Sequence, residues 1–277
     1  MRYPAFAGSF YESDKAELKA QIDGYLKKAD ADLAAQNKSF KQVFGIVVPH
    51  AGHIYSGQVA AYAYSAIKEF PPWTTFVIVG PNHTGRGKVV AISRDDWKTP
   101  LGVVKNDREL GDAIKRNSSI SEFDEEAHEF EHSIEVQMPF LQTLFGDVRA
   151  VEICMGIQDY NTALDLGTAI HQAAKETNRP VIVVASSDFT HFESAEYAKR
   201  NDELAIKLIE RLKAREFVDL VRDENISICG YAPIATAIVF AEKREAKAGS
   251  LLRYANSGDV TGDYGNVVGY ASIVLWK

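Results

Sequence analysis

The feature that most constrains this chain is a set of short apolar runs, each stopping at a loop of glycine or proline and polar residues. Val43–Val48 ends in Pro49-His50-Ala51-Gly52-His53, and Phe76–Val79 ends in Gly80-Pro81-Asn82-His83-Thr84-Gly85. Val181–Ala185 stops at Ser186-Ser187-Asp188-Phe189-Thr190-His191. Runs this short and this apolar suit strands of a parallel sheet buried on both faces. Val148–Ile153, Leu251–Ala255 and Val267–Leu275 read as further strands, and residues 88–104 as a hairpin or edge insertion around Arg94-Asp95-Asp96-Trp97.

Helical patterns lie between these runs. Asp14–Leu33 carries Leu18, Ile22, Tyr25, Leu26, Ala29 and Leu33 at helical spacing, and Asp14 with Glu17 has the pattern of a capping box. Gln58–Lys68, Asn161–Lys175, Glu196–Leu212 and Tyr231–Lys243 follow as helices. Strands alternating with helices predict an α/β fold in three layers, with a mostly parallel or mixed central sheet flanked by helices. No proline- or serine-rich linker and no repeat divides residues 1–277, so one domain is expected.

Composition narrows the function classes. Nearly half of the 277 residues are apolar and the net charge is -7, which argues against disorder and against non-specific nucleic-acid binding. Mixed-charge runs such as Lys213–Glu216 and Glu242–Lys247 read as solvated helix faces. The longest apolar runs fall well short of a membrane span. Only Cys154 and Cys229 are present, far apart, and the first ten residues do not resemble a signal peptide. A cytoplasmic protein that binds neither membrane nor nucleic acid is therefore expected.

The post-strand loops hold the candidate chemistry. Ligands of open α/β sheets bind beyond the carboxyl ends of the strands, so His50, His83 and the Asp188/His191 pair are expected to converge. Two imidazoles in separate loops there are a geometry for binding a metal. Cys229, just before Gly230 and an apolar helix, has the same apparent strand-to-helix setting. Facing the histidines, it would be a soft ligand or a nucleophile; turned away, it would fill space as Cys154 is expected to do. Asp188 would ligate directly or orient a ligating imidazole, or else Ser186-Ser187-Asp188 would simply cap the next helix. Imidazole suits proton exchange near neutral pH, a role open to His191. His128 and His171 read as structural, and Glu131-His132-Ser133 with Glu135 as a polar ridge on a helix before Pro139, either supporting the site or forming a hydrogen-bond network on the helix surface.

Several stretches together resemble the MEMO family, that of the mediator of ErbB2-driven cell motility and its bacterial and archaeal relatives. They are Pro4–Tyr11, Pro49–Gly57, Gly80–His83, Glu131–Leu141, Ser186–His191 and Ile228–Gly230, in the family's order along essentially the whole chain. The resemblance implies the fold of LigB-type class III extradiol dioxygenases, in which two histidines and a glutamate hold non-haem Fe(II) and another histidine moves protons. On that pattern His50 and His83 match the histidine ligands, Cys229 stands at the carboxylate's place, His191 matches the acid/base and Asp188 accompanies it in the pocket. The implied cofactor is Fe(II) or copper, with zinc able to take the site in a purified protein. Cysteine for carboxylate makes the site softer, so ring-cleaving chemistry does not follow from the fold alone. A metal-dependent redox protein or oxidoreductase is the leading expectation. The alternatives are a binding protein for a phosphorylated or carboxylate-bearing peptide or small ligand, and a hydrolase using metal-activated water or Cys229. The resemblance also links prokaryotic relatives to radical-SAM and AMMECR1-like proteins.

Overall fold

The computed structural model describes residues 1–277. Helix α1 (Lys15–Ala35) starts at Asp14, whose carboxylate accepts the Ala16 and Glu17 amide hydrogens as the sequence predicts. Strand β1 (Val43–Val48) follows, then α2 (His53–Ile67) and β2 (Thr75–Pro81). The insertion contains β3 (Val90–Ile92) and a hairpin of β4 (Trp97–Thr99) with β5 (Gly102–Asn106). After it come α3 (Arg108–Asn117), β6 (Glu122–Phe123), α4 (Met138–Phe145) and β7 (Arg149–Met155). The second half runs α5 (Tyr160–Glu176), β8 (Val181–Ser186), β9 (His191–Glu193), α6 (Ala195–Glu210) and α7 (Ala214–Asp223). It closes with α8 (Tyr231–Lys243), β10 (Ala248–Asn256), α9 (Gly258–Thr261) and β11 (Val267–Trp276).

The sheet is mixed, in the order β10-β11-β1-β8-β2-β7-β3-β6. Its centre, β1-β8-β2-β7, is parallel, while β11 joins β1, and β3 joins β7, in antiparallel sense. The period-two alternation of strand side chains divides the core into two layers. Val47, Val77, Val79, Val183 and Ala185 pack under α5, α7 and α8. Their neighbours Ile46, Val48, Phe76, Ile78, Ile182 and Val184 pack under α1, α2 and α4. The three-layer α/β architecture expected from the sequence is thus present. No helix is long and apolar enough to cross a membrane.

Four local expectations need correction. Helix α2 starts at His53 rather than near Gln58, because the His53 amide hydrogen is capped by the Phe10 carbonyl at 2.7 Å, a partner distant in sequence. Residues Ser186–Asp188 cap no helix: β9 intervenes, and Ser194 caps α6 by accepting from the Tyr197 amide. Cys229 does not follow a strand; α7 and a loop precede it, and only its place before α8 is as expected. Glu131–Ser133 lie on no helix either, because the chain runs as a loop there and makes a single 3-10 turn at Glu135–Gln137 before α4. That path turns the Glu131 and Glu135 carboxylates inward, and both are wholly buried.

One carboxylate outside the site carries a stability prediction. Burial holds Glu152 of β7 protonated up to about 8, against an ordinary value of 4.5. Its Oε2 accepts from Asn106 Nδ2 at 2.8 Å, while its Oε1 and the Asn106 Oδ1 have no partner. A proton on Glu152 removes the buried charge and makes Oε1 a donor. Because the folded-state pKa is raised, this contribution to stability is complete below about 4.5 and is lost as pH rises through about 8. Glu152→Gln, with a permanent amide donor, is expected to remove that slope and to gain roughly 2–5 kcal/mol over the parent near pH 9. Urea unfolding at pH 5 and pH 9 checks this; parallel pH dependences in the two proteins would sink it.

Candidate metal centre

The parallel alignment of β1, β2 and β8 brings their carboxyl ends to one edge of the sheet, and the loops after them meet there. His50, two residues past the end of β1, is 2% exposed. Its Nδ1 lies 2.9 Å from Ser186 Oγ. That hydroxyl donates its only hydrogen to the Ser133 carbonyl at 2.6 Å and accepts from Gln137 Nε2 at 2.9 Å. Ser186 must therefore also accept from His50, which assigns the proton to Nδ1 and leaves a lone pair on Nε2.

The same logic holds at His83, in the loop after β2. Its Nδ1 lies 2.9 Å from Glu131 Oε1 and its backbone N–H donates to Oε2 at 2.7 Å. The carboxylate also accepts the Ser133 amide hydrogen at 2.8 Å. Burial opposes ionisation of Glu131, but the hydrogen bond and charge of His83 outweigh it and hold the carboxyl at about 2. His83 is reciprocally raised, Glu131 overcoming the opposing effect of burial. An imidazole oriented through Nδ1 by a carboxylate, with Nε2 free, is the arrangement found behind many metal-ligating histidines.

A third imidazole completes the cluster. His132 stacks on His83 with centroids 4.7 Å apart and lies edge-on to His50 at 5.3 Å. One ligand atom from each of His50, His83 and His132 lies within 4.8 Å of the other two. Burial, reinforced by His50, lowers His132 to about 4, and burial with His83 takes His50 well below its ordinary value. Both imidazoles are neutral at pH 7, as ligands must be. The donor set fits a first-row transition metal: about 3.4 Å separates ligand atoms around a tetrahedral ion with bonds near 2.1 Å, so small inward shifts would close the cluster.

Cys229 reaches the site from the start of α8. Its Sγ lies 3.1 Å from His50 Nε2 and accepts the Asp188 amide hydrogen at 3.3 Å. It does not belong to the mutually close set of three histidines. Burial raises the thiol, and Asp188 adds to the effect, so by itself Cys229 is a thiol hydrogen-bonded to His50, and a nearby cation would be needed to make it a thiolate. Asp188 is buried and raised for the same reason; its Oδ1 accepts the His50 amide hydrogen at 2.8 Å and that of Ala51 at 3.3 Å. His191 donates Nδ1–H to the Ser227 carbonyl at 2.8 Å, which leaves Nε2 free, and it lies near enough to His50 and Asp188 for a proton on its ring to be felt by both.

All five residues singled out in the sequence therefore gather around this edge. The sequence reading left Glu131-His132-Ser133 open as a support of the site, but it passed over His132 as a cluster member and Ser186 as the group that orients His50. Glu131-His132-Ser133 was visible as a polar run, but a helical reading of it offers a supporting group or a surface hydrogen-bond network, not a ligand. His128 and His171 lie outside the cluster: His128 is buried with Nε2 3.2 Å from the Ala91 carbonyl, and His171 lies on α5.

Comparison with known proteins accounts for the clustering of motifs. The model of the Memo-like protein family matches residues 2–274. The chain belongs to the Memo-like family. It is 44% identical over 276 residues to a MEMO1 family protein of Methanosarcina acetivorans, covering 99% of each chain. A MEMO1 family protein of Methanopyrus kandleri is 43% identical over 278 residues, covering 99% of this chain and 98% of the relative. Among solved structures, an uncharacterized protein from Escherichia coli K12 superposes with a TM-score of 0.58 at 12% identity. That match covers 84% of this chain and all of the other, and it shows the fold alone.

Proposed function

We propose that this Memo-like protein binds iron or copper through His50, His83 and His132, with Cys229 as an adjoining soft ligand, and acts as a metal-dependent redox protein or oxidoreductase. The observation that carries the reading is the oriented cluster: Ser186 and Glu131 engage Nδ1 of His50 and His83, which leaves Nε2 as the ligand atom of each ring beside His132, with the Cys229 thiol against that of His50. Three nitrogens and a thiol suit Fe(II), Cu or Zn far better than Mg or Ca. A bound iron or copper would supply one-electron redox and Lewis-acid chemistry.

The chain's own residues supply the rest. His191 offers Nε2 as a proton acceptor, with its ring fixed through Nδ1 at the Ser227 carbonyl. Asp188 holds the backbone after β1 in place through the His50 and Ala51 amides. A hydrolase with Cys229 as nucleophile is less well supported, because burial and Asp188 favour the neutral thiol.

Anaerobic reconstitution with Fe(II) or Cu(I), followed by metal analysis of the desalted protein, tests the reading. About one equivalent is expected in the parent, with Cys229→Ser retaining metal at roughly 10- to 100-fold lower affinity. Parent protein that retains neither metal would rule it out.

A further inference from the structure

We propose that Glu135 is a positioning residue for this metal centre, acting through the amino-terminal segment that it ties down against His132; the inference rests on the metal-binding reading above. Of the three clustered imidazoles, His132 is the one held by stacking. His50 and His83 are each fixed by a hydrogen bond at Nδ1, whereas the His132 Nδ1 lies 3.6 Å from Glu131 Oε1, beyond hydrogen-bond reach. Its ring rests instead against Phe10 at 4.5 Å and Phe6 at 5.5 Å. Whatever fixes those two phenylalanines fixes the third ligand.

Glu135 fixes Phe6 directly and flanks Phe10 through Tyr11. Its wholly buried carboxylate accepts four hydrogen bonds from the amino-terminal segment. Oε1 takes the Phe6 amide at 2.9 Å and the Tyr11 hydroxyl at 2.6 Å; Oε2 takes Arg2 Nη1 at 2.6 Å and the Ala5 amide at 3.0 Å. Four donors saturate the acceptor sites of a carboxylate. Arg2 extends the tie by donating from Nη2 to the Glu131 carbonyl at 3.0 Å, next to His132 in sequence. At its other end, the segment caps α2 through the Phe10 carbonyl and the His53 amide, just beyond the His50 loop. The segment thus spans the loops bearing His50 and His132, with Phe6 held directly by Glu135 and Phe10 held between Tyr11, which Glu135 binds, and its own backbone bonds to Phe6 and His53.

A glutamine here presents an NH2 group to two of the four donors, so the segment must loosen. In Co(II) titrations followed by visible absorption, E135Q is expected to weaken binding 10- to 100-fold and H132A, which removes a ligand atom, by more than about 100-fold, both shifting the Co(II) spectrum in the same direction. The double variant is expected to bind no more weakly than H132A alone, because Glu135 acts through His132. Additive losses, or E135Q binding as the parent does, would overturn the inference. H132A binding as tightly as the parent while H83A fails to bind would also overturn it, leaving metal binding itself intact; a parent that binds no Co(II) would overturn both. Thermal unfolding establishes that the variants are folded, and should E135Q not fold, Phe10→Leu replaces it in the same cycle with the same expectation.

Discussion

Alanine at His83 is expected to lower Fe(II) or Co(II) affinity by more than about 100-fold, exceeding the 10- to 100-fold cost of removing a group that merely orients a ligand. The substitution removes a ligand atom and also strips Glu131 of its Nδ1–H partner at 2.9 Å. The backbone bonds from residue 83 and Ser133 remain, so a stability loss of only about 1–3 kcal/mol is expected from the under-satisfied buried carboxylate. Glu131→Gln separates the two effects: it keeps every ligand atom but weakens the orientation of His83, and its affinity should fall between those of the parent and His83→Ala. Anaerobic titration of the three proteins, with urea unfolding of each, is the measurement. Parent-like affinity in His83→Ala would remove His83 from the centre.

The second large effect is expected at Gly230, where the start of α8 meets the end of β8. A Cβ on this residue would stand 2.5 Å from the Ser186 carbonyl oxygen and 2.7 Å from the Ser187 Cβ. Neither neighbour is the free end of a flexible side chain, so the helix must back away from the strand. Gly230→Ala is expected to destabilise the fold by about 1–3 kcal/mol, as overpacking does. The same displacement would stretch the Gly230 N–H bond to Ser187 Oγ at 2.9 Å and the contact between Cys229 Sγ and His50 Nε2 at 3.1 Å. Faster modification of Cys229 by a thiol reagent, together with a lower urea midpoint, would confirm it; an unchanged midpoint and unchanged thiol reactivity would show that the junction is slack.

The route from sequence to site was legible at some residues and closed at others. His50 and His83 could be picked out because each lies in the loop that ends a short apolar run, and a buried parallel strand leaves its next residues at the ligand-binding edge. Asp188 and His191 follow the same rule after β8. His132 follows no strand. Its position depends on a loop held by Arg2 and Glu135, contacts spanning more than a hundred residues that no local pattern encodes. Cys229 was found through its place before α8, although the strand expected ahead of it is in fact a helix and a loop.

The sequence by itself determined the alternation of strands and helices, the burial of the central strands on both faces, and the loops at which polar residues emerge. These are properties of hydrophobic periodicity and capping, which act over a few residues. Only the tertiary structure decided which polar groups share the edge and in what state: the strand order sets the loops side by side, and burial together with Ser186 and Glu131 sets the neutral, Nε2-open form of His50 and the orientation of His83. Proximity between residues far apart in the chain is a consequence of packing, and packing is where a set of separate histidines became a candidate metal centre.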